Sequence, residues 1–256
     1  VTLAAADGMR RFFVASECIN GGTVTLSGDV SYRLSRVLRS RRGDRIIVLD
    51  GSVSECHVTL ESVRPEEVVG VITRRVPTTA DPAVWITIYQ GVLKADKFEL
   101  VLQKGTELGV SAFVPMSCYR SVPRESKAAV NRSVRWRKIM TEAAEQSRRG
   151  RIPDLKDLVD FQGACDHVDG FAIIPSERET NTGLKSALSQ ARGPDGSLSK
   201  ISIFIGPEGG FTPEEVEYAR ERDVIPVTLG RRVLRAETAG LVTASAILYD
   251  MGELGG

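Results

Sequence analysis

A small β domain followed by an α/β domain built on a parallel sheet is the fold class that this sequence predicts, on three observations. Residues 9–76 hold short apolar runs of strand period, set apart by glycine turns, with one short helical stretch. After Pro82 the apolar runs alternate with segments of helical period, the order that builds strand–helix–strand units. Two of the later runs, 201–205 and 224–229, stop in glycine-bearing loops, which a parallel sheet brings to one edge.

Taken in order, Gly21-Gly22 precedes the alternating residues 23–26, a hairpin signal. Residues 31–40 are helical in pattern, with Leu34, Val37 and Leu38 expected inward and the arginines outward. Gly43-Asp44 turns the chain into a strand at 45–49, and 53–60 and 67–72 supply further strands. A small β-barrel over 1–76 fits this pattern. The polar, two-proline stretch that follows makes 77–82 a linker and 83–256 the second domain.

In the second domain strands are expected at 84–90, 112–116, 170–174, 201–205 and 224–229. A helix over 94–108 turns Phe98, Val101, Leu102 and Leu108 inward and stops at Gly109. A helix over 127–148 is expected to bury Val130, Val134, Ile139, Met140 and Ala143, leaving Arg132, Arg135, Lys138 and Arg149 outside. Residues 181–200 read as a helix plus a loose loop with a Gly-Pro-Asp-Gly turn at 193–196. After residues 206–210, Thr212 is a natural N-cap, Pro213 suits the first helical position and Glu215 completes a capping box. A last helix, 236–248, is rich in small residues and suited to close packing.

The two glycine loops carry the functional signal. Gly206-Pro207-Glu208-Gly209-Gly210 has too little side-chain bulk to be anything but close-packed backbone. The second run ends at Gly230 and leads through arginines to Arg235, Glu237 and Thr238. Such a pair predicts a small-molecule site lined mostly by main-chain groups. Neither the G-x-x-x-x-G-K-[ST] phosphate loop nor the G-x-G-x-x-G dinucleotide fingerprint is present. The carboxylate of Glu208 also argues against a polyphosphate there, by like-charge repulsion.

Composition is that of an ordinary globular protein: 256 residues, 42% hydrophobic, 26% charged, net charge +1. The charge is locally uneven, however. Residues 31–45 carry six arginines against one aspartate, and 118–152 carry ten basic residues against three glutamates. Segregated arginine of this kind is the footprint of a nucleic-acid surface, the alternative being a solvated helix face. Cys18, Cys56, Cys118 and Cys165 never form C-x-x-C, and with only His57 and His167 beside them no metal set is expected. No signal peptide is read in residues 1–8, and the apolar stretch 239–249 is too short to span a bilayer, so a cytoplasmic protein is expected.

The pair GPEGG (206–210) and LGRRVLRAETAG (229–240) resembles the SPOUT-class RNA methyltransferases, and more closely the RsmE family. Four further stretches are similar: GVLKADKFELVLQKGTELG (91–109), EAAEQSRRGRIP (142–153), and the N-terminal MRRFFV (9–14) and RLSRVLRSRRGDRIIVLDG (33–51). The likeness touches nearly the whole chain. It implies an α/β SPOUT trefoil-knot domain behind an N-terminal PUA-like or OB-like β-barrel that binds RNA. It further implies transfer of a methyl group from S-adenosyl-L-methionine to N3 of a uridine in the decoding region of 16S ribosomal RNA, by a homodimer. Two other readings stay open: the same fold with another acceptor (a ribose 2′-OH or a tRNA base), and a non-catalytic RNA-binding factor.

Site residues follow from the resemblance. Cofactor contacts fall on Pro175, on Ile205, Gly206, Glu208, Gly209 and Gly210, and on Leu229, Gly230, Val233, Leu234, Arg235, Thr238 and Ala239. Arg235 is the candidate for steadying the ionised uracil, and Glu237 for orienting it or accepting the proton. A structural ion pair of Arg235 with Glu237 or Glu208 is the alternative. Candidate RNA contacts are Arg10, Arg33, Arg36, Arg39, Lys94, Lys97, Lys104, Gln146 and Arg149. Where the family often has a cysteine before the Glu-Gln pair, this chain has Ala144, which argues against a cysteine nucleophile.

Overall fold

A computed structural model of the chain describes residues 8–52, 54–121, 129–193 and 196–255. It divides into two compact units: one runs to Asp81 and takes in Ala144–Ile152, the other holds Pro82–Ala143 and the chain from Pro153 onward. Expectations at residues 1–7, at Val53, at the start of the 127–148 helix and at Pro194 and Asp195 lie outside the described residues.

The first unit is a six-stranded mixed sheet in the order β1-β4-β5-β6-β3-β2. Its strands are β1 (Arg10–Phe13), β2 (Ile19–Asn20), β3 (Thr23–Ser27), β4 (Arg45–Leu49), β5 (Ser54–Val63) and β6 (Glu67–Pro77). β1 and β4 pair in parallel and the rest are antiparallel. Alternation puts Val24, Leu26, Val58 and Leu60 into a core with Phe12, Leu34, Ile46 and Val48. The expected helix at 31–40 forms as α1 (Gly28–Tyr32) running into a π-helical turn, Arg33–Val37. That change of period rotates the later side chains, so Leu34 is buried but Val37 is 63% exposed, against expectation.

The second unit is a parallel sheet in the order β10-β8-β7-β12-β11-β13, with β9 also beside β8. The strands are β7 (Trp85–Gly91), β8 (Ala112–Ser117), β9 (Asp154–Leu155), β10 (Val159–Asp160), β11 (Phe171–Pro175), β12 (Lys200–Ile205) and β13 (Val224–Val227). The helices are α2 (Ala95–Leu108), α3 (Ala129–Gln146), α4 (Phe161–Asp166), α5 (Leu184–Ala191), α6 (Pro213–Arg220) and α7 (Ala236–Asp250). The last turn of α3 belongs to the first unit. Strands β8, β11 and β12 are nearly continuous apolar runs, as a sheet covered on both faces requires, while β7 alternates buried and half-buried residues. Tyr89 stacks on Phe204 with centroids 4.5 Å apart in that core.

Local signals act as the residues dictate. Gly109 closes α2 at φ 111°, a left-handed C-cap that suits glycine. Thr212 and Glu215 form the capping box of α6 with Pro213 in its first turn. Among the described side chains of α3 the buried ones are Trp136, Met140, Ala143 and Ala144, the last three lying four, seven and eight residues after Trp136. Val134 lies outside that stripe and is 66% exposed, contrary to the sequence reading.

Candidate active site

Every strand pair in the second sheet is parallel, so β7, β12, β11 and β13 end at one edge. β12 and β13 both flank β11, which brings the loops after Ile205 and Val227 to that edge together. Pro175 ends β11, opposite Val227. Gly210 (φ 65°) and Gly230 (φ 104°) have left-handed backbone, and a Cβ at either would meet nothing within 4 Å. Each loop is thus open at one glycine. Beside them stand buried Ile205, half-buried Leu229 and Leu234, and Val233, which is 77% exposed.

The first loop is braced along its length. Its entry lies against β7: a Cβ on Gly91 would come within 2.5 Å of the Pro207 nitrogen and 2.7 Å of the Gly206 carbonyl carbon. Only glycine permits that approach. Gln90 is fully buried, its Nε2 donates to the Gly206 carbonyl at 3.4 Å, and its Oε1 has no hydrogen-bond partner among the described residues. The middle is held through Glu208, whose carboxylate accepts from the Lys94 N–H at 3.3 Å. At the far end Arg120 Nη1 donates to the Gly209 carbonyl at 2.8 Å.

Charged groups meet between the two loops. Lys97 Nζ lies 3.8 Å from Glu208 and 3.5 Å from Glu237, while Arg235 Nη1 is 4.0 Å from the other oxygen of Glu237. Magnitudes decide which pair is structural. The Glu237 side chain is 11% exposed and Lys97 27%, so their attraction is little screened, with about 4 kcal/mol as the scale at an effective dielectric near 20. Arg235 is 81% exposed, where an ion pair is worth about 0–1 kcal/mol. Glu237 is therefore anchored to Lys97, and the Arg235 guanidinium stays in solvent at the lip of the second loop. Thr238 and Ala239 donate their N–H groups back to the Arg235 carbonyl, which makes Arg235 the N-cap of α7.

Among the expected RNA contacts, Arg10, Arg36, Arg39, Lys94 and Gln146 are exposed. Arg33 pairs with Glu145 at 3.0 Å and lies over the Phe12 ring. Lys104 pairs with Glu107 at 2.8 Å. Lys97 faces the two carboxylates. Arg149 differs most: it is 2% exposed, its Nε donates to Asp81 at 2.9 Å, and it offers no surface to RNA. Burial and Asp81 act on it in opposite senses, burial lowering its pKa the more. The reason for the difference is local. The chain leaves the helix at Gln146, and Arg148 takes a positive φ of 64°, which turns the next residue inward.

Burial pushes the Cys165 thiol up to about 12 and raises Cys118 as well, so neither is a thiolate near neutral pH. Ala144 is fully buried. Sequence reasoning passed over Gln90, Gly91 and Arg120. The first two had a signal, a glutamine closing an apolar run just before glycine; Arg120 was one arginine among many.

Residues 80–248 match the model of an RNA methyltransferase domain family. The chain is 34% identical to the ribosomal RNA small subunit methyltransferase E of Bacillus subtilis, over 94% of this chain and 97% of that one. It belongs to the RNA methyltransferase family. The same enzyme of Synechocystis is 32% identical, over 93% of this chain and 76% of its own. Among solved structures of this family, the small subunit methyltransferase E of Neisseria gonorrhoeae bound to S-adenosyl methionine superposes with a TM-score of 0.83 at 29% identity, covering 94% and 97% of the two chains. A Legionella pneumophila methyltransferase with the same bound cofactor gives 0.83 at 26% identity, covering 95% and 98%.

Proposed function

We propose that this chain transfers the methyl group of S-adenosyl-L-methionine to N3 of a uridine in the decoding region of 16S ribosomal RNA. The observation that carries this reading is the meeting of two open glycine loops at one edge of a parallel sheet, with Arg235 and Glu237 beside them. The cofactor-bound relatives support the choice of ligand.

The residues present fit such a ligand. The open glycines Gly210 and Gly230 leave room for the edge of an adenine, and Ile205, Leu229, Val233 and Leu234 supply apolar wall. Glu208 and Glu237 offset Lys97 and Arg235, so carboxylates stand beside these two cations where a cationic sulfonium would bind. S-adenosyl-L-methionine, when bound, supplies a methyl carbon activated by its positive sulfur. The protein's own task is to orient the acceptor and manage its proton. Uracil N3 must lose a proton, and the resulting charge spreads onto the neighbouring carbonyl oxygens. The exposed Arg235 guanidinium stabilises that charge, and the Glu237 carboxylate accepts the proton.

The rest of the reading concerns assembly. The second unit takes the SPOUT trefoil knot and the first a PUA-like or OB-like barrel, whose Arg10, Arg33, Arg36 and Arg39 contact RNA. The enzyme works as a cytoplasmic homodimer on the small ribosomal subunit. Nucleoside analysis of small-subunit RNA from a strain lacking the protein tests the acceptor. We expect 3-methyluridine to vanish and to return when purified protein and cofactor are added. Its persistence at normal levels contradicts the proposal, as does restoration of a different modified nucleoside.

A further inference from the structure

Lys97 lies where three segments distant in sequence converge. It sits in the first turn of α2, and its Nζ reaches Glu208 of the glycine loop at 3.8 Å and Glu237 of α7 at 3.5 Å. Glu208 is further tied to the start of α2 by the Lys94 N–H. The Glu237 oxygen facing Lys97 is buried and has no hydrogen-bond partner among the described residues. Its other oxygen faces Arg235. Without the ammonium, a buried carboxylate would lose its nearest cation and face Glu208 across the gap, a like-charge arrangement. A lysine here is a compact cation able to serve two carboxylates at once.

We propose that Lys97 is a positioning residue for methyl transfer, holding Glu208 and Glu237 so that the Arg235–Glu237 pair meets the base, and that it does not grip RNA phosphate. The inference rests on the reading that Arg235 and Glu237 act on the acceptor.

The two roles predict different measurements. A phosphate contact contributes to affinity and to its salt dependence: its loss lowers the slope of log affinity against log salt by about one. A positioning residue leaves that slope alone and lowers kcat at saturating RNA and cofactor. For Lys97→Met we expect kcat to fall about a hundredfold with the RNA salt slope unchanged, and Lys97→Arg to recover at least about tenfold of it by restoring the cation. If Lys97→Met does not fold, Lys97→Gln takes its place with the same expectations. A slope reduced by about one with kcat retained at saturation overturns the inference. So does an arginine variant as slow as the methionine one. Glu237→Gln and Arg235→Ala separate this result from failure of the underlying reading. If both keep the wild-type kcat, the chemistry lies elsewhere and the inference falls with it; if both are slow while Lys97→Met is not, only the role of Lys97 is wrong.

Discussion

Two arginines of the same appearance in sequence, Arg149 and Arg235, have opposite environments: 2% and 81% side-chain exposure. Periodicity alone did not separate them, because Arg149 follows the end of a helix, where the 3.6-residue rule no longer applies. Its partner Asp81 lies 68 positions away, beyond any local pattern. Arg149 is thus an element of the fold. We expect Arg149→Ala to lower the unfolding free energy by about 3 kcal/mol, since the nearly buried Asp81 loses its main partner. Urea denaturation measures that loss. The salt dependence of RNA binding by the folded variant should match wild type, and a reduced slope with unchanged stability contradicts the assignment. Lys97 teaches the same lesson: its place on the right helix face was legible, but the carboxylates awaiting it come from residues 208 and 237.

At the scale of elements the sequence was more informative. The capping residues Thr212, Pro213 and Glu215 act within four positions, and the observed α6 begins where they say. The strands 45–49 and 201–205 stand within a residue of their observed bounds. Failures came where an element changed period, as at Val37, or where one residue was counted into a helix stripe it does not share, as at Val134, while Met140 and Ala143 of the same stripe are buried as expected. The last helix has a consequence for assembly. α7 packs one side against α2, β12 and β7, with Gly240 so close to Ile205 that a Cβ would lie 3.3 Å from its Cγ1. Its other side leaves Val242 at 42% and Tyr249 at 71% exposure. If α7 lies at the proposed dimer contact, light scattering at micromolar concentration gives about twice the chain mass of 27.8 kDa. Val242→Glu should shift that value toward one chain by burying an unpaired charge. A wild-type monomer with full activity contradicts the homodimer.

For the molecule as a whole, the order of strands along the chain was legible, whereas their order across the sheet was not. Alternating strand and helix signals predict a parallel sheet, and a parallel sheet puts its loops at one edge. That β12 inserts between β7 and β11 is a long-range choice no local signal records. The insertion places Gly206 against Gly91 and sets the glycine loop beside the start of α2. We propose that the cofactor lies at this edge, between 206–210 and 228–238. A crystal structure of the protein with S-adenosylhomocysteine measures it most directly. We expect the nucleoside against the main chain of both loops, with Arg235 and Glu237 facing the sulfur side. A ligand lodged at another surface, with these loops empty, contradicts the account.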